Sequence, residues 1–442
     1  MNIAIVGSGI SGLVAAHLLG GVHDITLFES DDRLGGHTNT VTVEDDIGPL
    51  AIDTGFIVFN DWTYPNFIGL LNELGVESVA TSMGFSVQCQ RCGLEYAGAS
   101  IATLFAQKRN LVRPSFYRLL SDIVRFNRLG SQRSGQLSET TTVGEFLDEH
   151  RFSPTFSEHY LLPMGAAIWS CPMSTFREFP IRFIIEFYRN HGLLSIQNRP
   201  TWQTITGGSR TYIRRIIERF PGTVRLSTAV HRVDRNSLGV TLHHQHGSET
   251  FDEVILACHS DQALRLLGEP TPTENELLSA FPYSQNVAVL HTDASILPTR
   301  RSVWSSWNYR IPNGPESRPM VTYNMNILQR LDPLLTRSDR TYCVTLNAAE
   351  SINPDHHLRT FQYSHPIFTT QRASAQERHH ELIRRKRTSY CGAYWGNGFH
   401  EDGVNSALAV CEQFGIRPHW SHRPHAPLNS HPPTVLSRGD DD

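Results

Sequence analysis

The sequence predicts an α/β protein with a parallel sheet at its centre and an α+β domain inserted into it. Near the start of the chain, a β-branched run, a glycine-rich turn and an apolar helical stretch follow one another over residues 3–19. Strand-like segments of the same kind return after residue 200, and a glycine-rich segment at 390–403 leads into a last helix. Between them, apolar residues recur at the three- and four-residue spacing that is typical of helices.

The first glycine turn has the spacing of a dinucleotide-binding motif. Gly7 permits a tight turn, Gly9 lets the backbone approach a pyrophosphate, and Gly12 allows the helix to pack closely on the strand. The helix then points its free N–H groups and its dipole at the phosphates. The sequence therefore predicts a Rossmann-like unit that binds a dinucleotide at Gly7, Gly9, Ile10, Ser11 and Gly12.

An acid follows the second predicted strand at the position where a ribose is expected. The strand at 25–28 ends in Glu29, seventeen residues after Gly12, and Ser30 comes next. A carboxylate at this spacing accepts hydrogen bonds from the hydroxyls of an adenosine ribose. We therefore expect Glu29 and Ser30 to contact the ribose of a cofactor that carries a free 2′-hydroxyl.

The segment at 33–40 distinguishes a flavin from a nicotinamide cofactor. Its paired glycines let the main chain pass beside phosphates, Arg33 offsets their charge, and Thr40 closes the segment. The segment resembles the signature that follows the acid in flavoproteins of the amine oxidase, protoporphyrinogen oxidase and phytoene desaturase superfamily. His37 stands where many relatives have a second arginine. The resemblance implies that FAD is the cofactor and that it is bound here by Arg33, Gly35, Gly36, His37 and Thr38.

The resemblance extends over nearly the whole chain and implies a Rossmann-like FAD-binding domain of the GR2 type. A strand at 226–230 is expected to reach the adenine, and the helix after the last glycine loop is expected to face the ribityl and pyrimidine end of the flavin. The acid expected after Gly392 is absent, so Glu401 or Asp402 substitutes for it or the backbone alone holds the ribityl chain. The further cofactor contacts implied are Gly55, Phe56, Val230, Gly392, Asp402, Gly403 and Val404.

The pattern of elements predicts two domains, each made of separated segments, and a tail. Helices are predicted at Pro65–Leu74, 116–129 and 143–150. The tail is rich in Pro, His and Ser and ends in three aspartates, which predicts disorder. The predicted bounds are 1–62, 200–270 and 380–416 for the FAD-binding domain, 63–199 and 271–379 for the substrate domain with its helical lobe, and 417–442 for the tail.

Two short sequence motifs resemble those of a bacterial subgroup of the superfamily. Residues 166–170 and 398–403 resemble bacterial proteins described as NAD/FAD-binding and amine-oxidase-like, a subgroup associated with enzymes that modify unsaturated or cyclopropane fatty acyl chains. Amine oxidases of the superfamily use a lysine that holds water at flavin N5. The lysines of this chain are Lys108 and Lys386, and neither stands at a matching position. The comparison therefore disfavours amine oxidation.

His400 is the candidate for proton transfer. It stands just before the last helix, and an imidazole with the ordinary pKa of about 6.5 can exchange a proton with substrate while hydride passes to the flavin. The alternative is a histidine that only binds main chain in the glycine loop. His259 is a weaker candidate. Four aromatic residues are candidates for the pocket wall or for the core: Trp169, Trp202, Tyr394 and Trp395.

Composition argues against several other classes of protein. A net charge of −4 and a pI of about 6.6 give no sign of a nucleic-acid partner. No leader-like segment precedes the first strand, and no apolar run reaches the roughly 18 residues of a spanning helix, which predicts a cytoplasmic protein. The seven scattered cysteines are expected to be reduced thiols. Cys89 and Cys92 form a CxxC pair without a second pair, so we predict neither a metal site nor redox catalysis there.

The sequence thus predicts an FAD-dependent oxidoreductase (an oxidase, dehydrogenase or desaturase) that takes a hydride from a C–H bond of its substrate. The apolar, aromatic character of the inserted lobe favours a lipophilic small molecule such as a fatty acyl or polyprenoid-like chain. Two alternatives stay open: an amine oxidase acting on C–N bonds, and a non-catalytic module of the same fold that binds lipids or prenyl groups. The sequence also leaves open peripheral contact with a membrane and the oligomeric state.

Overall fold

A computed structural model describes residues 1–133, 137–138, 140–169, 171–195, 199–313, 320–331 and 340–422. A π-helical turn at Ser157–Leu161 lies between the sixth and seventh α-helices. The α-helices, numbered in chain order, are α1 (Ile10–Leu19), α2 (Pro65–Leu74), α3 (Ile101–Leu104), α4 (Pro114–Arg133), α5 (Val143–Glu149), α6 (Pro154–Phe156), α7 (Leu162–Ile168), α8 (Met173–Arg177), α9 (Ile181–Asn190), α10 (Arg210–Arg219), α11 (Ser260–Leu266), α12 (Pro272–Ser279), α13 (Met325–Leu328), α14 (Thr370–Glu377) and α15 (His400–Glu412).

A five-stranded parallel sheet is built from the segments predicted for the FAD-binding domain. Its strands are β1 (Asn2–Val6), β2 (Asp24–Phe28), β10 (Thr223–Arg225), β14 (Glu253–Leu256) and β20 (Thr388–Tyr390). The order across the sheet is β10-β2-β1-β14-β20, so the first strand is central and the last strand of the chain forms one edge. Residues 3–5 of β1 are fully buried, as expected for a parallel sheet covered on both faces.

A second, seven-stranded sheet carries the inserted part of the chain. Its strands are β7 (Phe85–Cys89), β8 (Glu95–Ala97), β15 (Tyr283–His291), β16 (Trp307–Ile311), β17 (Met320–Asn324), β18 (Cys343–Leu346) and β19 (His357–Pro366). Their order is β19-β15-β18-β17-β16-β7-β8, and β16 pairs with β7 in parallel while the other neighbours are antiparallel. Strands that precede residue 200 and strands that follow residue 270 thus meet in one sheet.

Three small antiparallel sheets connect the two larger ones. The first is the hairpin of β3 (Thr40–Asp45) and β4 (Gly48–Asp53); the second comprises β5 (Val58–Asn60), β6 (Ser78–Ala80) and β9 (Trp202–Ile205); the third comprises β11 (Val230–Arg235), β12 (Val240–His244) and β13 (Gly247–Phe251). In the small sheet of β5, β6 and β9, strand β9 pairs with both of the others. The chain therefore returns at residue 202 to the place that it left after residue 60.

Helices α4 to α9 form the predicted helical lobe. Its core is rich in aromatic and β-branched side chains, including the fully buried Phe126, Phe156, Phe176 and Ile184. The same core contains residues of β7, β8 and β16, so the lobe packs directly against the second sheet. Within the described part of the chain, we find no helix with the length and apolar character needed to span a membrane.

The predicted helices are present, but two segments pack differently from the predicted domain division. Helix α2 matches its predicted bounds, yet Phe67 and Leu71 pack in the core beneath the five-stranded sheet rather than in the inserted domain. Trp420, which belongs to the predicted disordered tail, is buried against Gly69 of α2. The backbone N–H and carbonyl oxygen of residue 422 form hydrogen bonds with the side-chain amide of Asn66. The rest of the predicted tail, 423–442, lies outside the described residues.

Helices α1 and α15 pack closely and bring the two ends of the folded chain together. A Cβ atom on Gly403 would lie 2.6 Å from Ile10 Cγ2 and 3.0 Å from Ser11 Oγ, so only a glycine fits without a shift. Ser406 Oγ lies 3.5 Å from Ser11 Oγ and accepts a 2.9 Å hydrogen bond from the N–H of Gly392. The glycine turn of residues 7–12 and the loop of residues 391–399 are thereby held side by side.

We expect Gly403→Ala to destabilise the protein because the added methyl group forces α1 and α15 apart. Overpacking of this kind costs about 1–3 kcal/mol, which urea unfolding would measure as a lower midpoint at unchanged slope. Gly21→Ala is the matched control, because a Cβ atom there meets nothing within 4 Å. Equal stability of the two variants would contradict close helix packing at Gly403.

Candidate cofactor and substrate cavity

One large cavity connects the glycine turn of α1, the loop before α15 and the helical lobe. Its volume is about 1300 Å³, and its lining includes Gly7, Glu29, Gly398 and Trp169. Pockets for a single small ligand usually measure roughly 300–1,000 Å³. The cavity therefore has room for a dinucleotide together with part of a second molecule.

At one end of the cavity, the glycine turn leaves open space at the N-terminus of α1. Gly7 has φ +105°, and a Cβ atom there would approach the carbonyl oxygen of Ala257 to 2.8 Å; a Cβ atom on Gly12 would overlap the carbonyl oxygen of Gly7. Gly9 differs, because a Cβ atom there would meet nothing within 4 Å. No side chain caps this helix, and Ile10 and Ser11 line the cavity. The uncapped helix dipole is therefore directed at a space in which an anion would be stabilised.

Glu29 and Ser30 lie next to this space at the end of β2. The buried Glu29 carboxylate accepts hydrogen bonds from the N–H of Ser8 at 2.9 Å and from Ser30 Oγ at 3.1 Å. The N–H of Asp31 donates to the same carboxylate at 3.0 Å. All of these residues line the cavity, so the acid is held in place where the sequence predicts a ribose.

Arg33 shapes the loop of residues 33–38 and also supplies a positive charge to the cavity. Its guanidinium donates to the carbonyl oxygens of Gly36 at 2.8 Å and Thr38 at 3.2 Å. The N–H of Gly35 donates to the carbonyl oxygen of Ser8 at 3.0 Å, which ties this loop to the glycine turn. Arg33 forms no ion pair with any described carboxylate, so its charge is available to a bound anion.

His37 lies in a cluster of aromatic rings and is uncharged. Its ring centroid is 5.1 Å from that of Tyr363, 5.4 Å from His365 and 5.7 Å from His259, and its Nε2 lies 3.1 Å from the carbonyl oxygen of Ser364. Burial, followed by the neighbouring histidines, lowers the pKa of His37 well below its usual value. The ring therefore does not provide the positive charge that an arginine would place here.

At the other end of the cavity lies the loop that precedes α15. Gly392, Tyr394 and Gly398 line the cavity together with Phe399. The fully buried Arg372, which no sequence pattern singled out, donates to the carbonyl oxygens of Tyr394 and Gly396 and stacks 3.6 Å from the centroid of Phe368. A guanidinium between these carbonyl groups fixes the loop, so Arg372 is a positioning residue.

His400 lines the cavity but is packed firmly into its wall. Phe56 stacks on the ring at 3.5 Å between centroids, and His400 Nε2 lies 2.9 Å from Thr38 Oγ1 and 3.3 Å from the hydroxyl of Tyr212. Burial lowers the pKa of His400 to about 3. The ring is therefore neutral at physiological pH. Its role in proton transfer stays a prediction, and the geometry favours the alternative role in orienting its neighbours.

Five of the predicted cofactor contacts lie behind the cavity wall rather than on it. Asp402 accepts a 2.8 Å hydrogen bond from the N–H of Phe399 and so caps α15, while the Glu401 carboxylate accepts from the N–H groups of Asn66 and Phe67 at the start of α2. Both acids are thus occupied by helix ends and do not replace the missing acid after Gly392. The five residues are Gly12, Thr38, Asp402, Gly403 and Val404. Gly55, Phe56 and Val230, which the resemblance also implies as cofactor contacts, line the cavity.

The aromatic candidates divide between wall and core. Trp169, Trp202 and Tyr394 line the cavity, whereas Trp395 packs against His379 with 4.1 Å between ring centroids. His259 also lines the cavity and stacks on Tyr283 at 4.6 Å. Neither Lys108 nor Lys386 is among the lining residues, as the sequence comparison indicated. Cavity residues that the sequence did not single out include Tyr283, Tyr363, His191, His365 and Phe368.

The residues present fit FAD. The open space at Gly9, the uncapped N-terminus of α1 and the charge of Arg33 suit a pyrophosphate. The buried hydroxyl of Tyr394 and the indole N–H groups of Trp169 and Trp307 have no hydrogen-bond partner among the described residues, although all three side chains line the cavity. Unpaired polar atoms of this kind are expected where a polar ligand or water binds.

The comparison with known families agrees with this geometry. The sequence model of the family "flavin containing amine oxidoreductase" matches residues 10–413, so the chain belongs to that family. The predicted fold and the flavin cofactor FAD are thereby confirmed at the level of the family, which is described as one of oxidoreductases.

Individual relatives are more distant. A Mycobacterium tuberculosis protein assigned by name to the flavin-containing monoamine oxidases, AofH, is 24% identical over 288 residues, which are 63% of this chain and only 62% of that protein. A cyclohexylamine oxidase from Brevibacterium oxydans has a TM-score of 0.66 at 15% identity, over 94% of this chain and 99% of that chain. A CLA-producing fatty acid isomerase from P. acnes has a TM-score of 0.65 at 14% identity, over 93% and 98%. The two structures share the fold with this protein.

We expect Gly9→Ala to weaken FAD binding while leaving the stability of the apoprotein unchanged. The added methyl group meets no protein atom within 4 Å and so projects into the space that a pyrophosphate requires. A tenfold or larger rise in Kd, about 1.4 kcal/mol, should appear in fluorescence titration of the apoprotein with FAD. Gly21→Ala is again the control, and wild-type affinity in Gly9→Ala would contradict the placement of the phosphates.

His365 is expected to make the stability of the protein depend on pH. Burial lowers the pKa of His365 to about 4, whereas a histidine in an unfolded chain titrates at about 6.5. Between these pH values the unfolded state binds a proton that the folded state does not, so stability falls as the pH falls from 6.5 towards 4. We expect His365→Gln to remove on the order of 2 kcal/mol of this loss between about pH 6.5 and pH 4.5.

Urea unfolding at the two pH values measures this difference within each variant, which separates it from any general effect of the substitution. His231→Gln, at an exposed position, should retain the wild-type dependence on pH. If His365→Gln loses as much stability in acid as the wild type and the His231→Gln control do, the neutral state assigned to His365 is wrong.

Proposed function

We propose that this protein is an FAD-dependent oxidoreductase that takes a hydride from a C–H bond of a lipophilic substrate, a fatty acyl or polyprenoid-like chain. The observation that carries the proposal is the apolar wall that the helical lobe contributes to the cavity. This wall continues directly from the cofactor end, because Phe399 of the loop before α15 lines the cavity and stacks on Phe187 of the lobe with 5.4 Å between ring centroids.

The wall consists of aliphatic and aromatic side chains from several helices of the lobe. Phe368 stacks on Phe183 with 4.6 Å between ring centroids, and Trp169 lies 4.8 Å from Phe187, which gives the wall a rigid aromatic framework. Such a surface binds a ligand chiefly by removing apolar area from water. The apolar lining residues of this part are Leu104, Leu120, Ile123, Val124, Met164, Ile168, Trp169, Phe187, Leu193 and Phe368.

The distribution of charge in the cavity lining argues against a cationic reacting group. Among the described lining residues, the carboxylates are Glu29 and Asp31, both at the end of β2 where the ribose is expected. A protonated amine in the lobe would therefore lose its hydration without gaining an ion pair. Together with the absence of lysine from the lining, this argues against amine oxidation as the main activity.

When bound, FAD supplies the hydride acceptor, and the protein supplies position and a dry environment. The lobe aligns an extended apolar chain and excludes water from it, while Arg372 fixes the loop that carries Tyr394. The neutral His400 ring and the hydroxyl of Tyr394 are two polar groups that line the cavity at the start of α15 and in the loop before it. Either can orient a polar group of the substrate without introducing a charge.

We include peripheral contact with a membrane in the proposal. Exposed apolar residues near the cavity support delivery of the substrate from a membrane surface. Val124 of α4 lines the cavity and is also 58% exposed. Ile101 and Val112, in the segment that leads into α4, are 76% and 82% exposed, and Lys108 lies between them in sequence. Exposed apolar side chains beside basic ones are typical of surfaces that rest on a bilayer.

The alternative of amine oxidation keeps support from the family itself, because AofH and the cyclohexylamine oxidase are named for amines. A non-catalytic binding module is less well supported, because such a protein has no need for the open phosphate space at Gly9 or the buried acid at Glu29. Flavin content and flavin reduction distinguish all three functions.

We expect the purified protein to contain FAD and the flavin to be bleached anaerobically by a lipid from a panel of fatty acids, phospholipids in vesicles and polyprenoids. Primary and secondary amines should leave the flavin oxidised. Absorbance of the flavin over time measures both. Bleaching by amines alone would overturn the proposal in favour of amine oxidation, and a colourless protein that takes up no FAD would favour the binding module.

A charge placed in the apolar wall should abolish reduction by lipid without loss of FAD. Ile123→Glu introduces a carboxylate at a lining position of α4, and we expect at least a tenfold lower rate of flavin reduction, about 1.4 kcal/mol. Ser121→Glu, at an exposed position of the same helix, is the matched control and should reduce at the wild-type rate. Equal rates in the two variants would contradict binding of substrate along this wall.

A further inference from the structure

A cluster of two thiols and an imidazole lies outside the cofactor cavity, where the second sheet meets the helical lobe. Cys89 ends β7, Cys92 stands in the turn between β7 and β8, and His159 lies in the π-helical turn at Ser157–Leu161. Sγ of each cysteine and a ring nitrogen of His159 all lie within 4.8 Å of one another. Cys89 and His159 are buried, whereas Cys92 is exposed. The three groups form a pocket that opens to solvent on one side.

The distance between Cys92 and His159 is that of two ligands in a tetrahedral metal site. Cys92 Sγ lies 3.5 Å from His159 Nε2. With Zn–S bonds of about 2.3 Å and Zn–N bonds of about 2.0–2.1 Å, tetrahedral angles separate a sulfur and a nitrogen ligand by about 3.5 Å. A zinc ion therefore fits between these two atoms with little movement of the protein.

The surroundings of the three groups orient them as ligands. His159 Nδ1 lies 3.3 Å from the carbonyl oxygen of Thr155, so this nitrogen carries the proton and Nε2 presents its lone pair to the cysteines. Cysteine binds a metal as the thiolate, so both thiols give up their protons when a metal binds.

The turn between the cysteines is compact and fixed from outside. Gly93 follows Cys92 with φ +62°, which lets the chain turn sharply so that both thiols face the same point. Arg109 donates to the carbonyl oxygens of residues 92 and 93, and an ion pair of 2.8 Å joins Arg91 to Glu158, next to the histidine. The hairpin and the π-helical turn are thus held together around the cluster before any metal binds.

We propose that Cys89, Cys92 and His159 form a zinc site whose fourth position is open to a water molecule. Zinc is favoured because two thiolates and an imidazole are its ordinary ligands, and because an exposed Cys92 gives it access. Binding displaces the thiol protons to solvent, and no oxidant or reductant takes part. The prediction from sequence that this CxxC pair binds no metal is therefore revised.

The zinc site would connect the seven-stranded sheet to the helical lobe, at a position next to the apolar part of the cavity. The hydroxyl of Tyr96 donates to the carbonyl oxygen of His159 at 2.7 Å, and both Tyr96 and Tyr160 line the cavity. A metal ion that holds His159 in place therefore also holds this portion of the wall. The expected consequence of binding is a more stable lobe, with FAD content unchanged because the cluster contacts no residue of the glycine turn.

The experiment uses the full-length protein purified with reductant and without chelator. Elemental analysis should find about one zinc per chain, and cobalt added after removal of zinc should give the thiolate-to-cobalt absorption band of a tetrahedral site. Cys92→Ser and His159→Gln should lose the metal, while Cys171→Ser, at another buried cysteine of the lobe, should retain it. Flavin absorbance and circular dichroism confirm that each variant is folded.

The wild type should also unfold at a higher temperature with zinc than after chelation, and Cys92→Ser should show no such difference. Absence of zinc and of the cobalt band from the folded wild type would overturn the proposal. So would a disulfide between Cys89 and Cys92 that mass spectrometry finds in the reduced preparation, or retention of metal by Cys92→Ser and His159→Gln. None of these results depends on whether the flavin reaction uses lipids or amines.

Discussion

The close packing of α1 against α15 is the contact on which the rest of the structure depends. Because Gly403 has no side chain, the two helices approach closely enough for Ser11 and Ser406 to touch, and Ser406 then anchors the loop at Gly392. Residues almost four hundred positions apart are thereby fixed around one cavity. If the helices separated by the width of a methyl group, the glycine turn and the last loop would no longer face the same space.

The resulting cavity is continuous, and its two ends differ in the charge of the residues that line them. Its cofactor end contains an uncapped helix N-terminus, Arg33 and the buried Glu29, which together suit phosphates and a ribose. The histidines that line it are neutral, because burial lowers the pKa values of His37, His365 and His400. The lobe end is lined mainly by hydrocarbon. Arg199, close to Tyr160, adds a positive charge, and the described lining residues there include no carboxylate. This lining is the basis of the proposal that the substrate is largely apolar.

The cluster at Cys89 shows how the inserted lobe is joined to the sheet. The lobe contributes His159 from an irregular, π-helical turn, and the sheet contributes a cysteine hairpin, so the contact links two elements that are far apart in sequence. π-helical turns often mark functional positions because they displace one side chain from the regular helical face. Here the displaced segment carries both His159 and Tyr160, which face the cluster and the cavity respectively.

The sequence by itself determined the glycine turn, the acid at Glu29 and the helices of the lobe, because each depends on backbone preferences and spacing within about twenty residues. Its resemblance to a known superfamily implied the flavin class. Only the tertiary structure decided that Asp402 and Glu401 cap helices instead of facing the cofactor, that α2 and Trp420 pack beneath the first sheet, and that His400 is enclosed by Phe56 and Thr38. It also brought His159 to a cysteine pair 67 residues earlier. Contacts of this kind depend on how distant surfaces pack together, and no local pattern of residues records them.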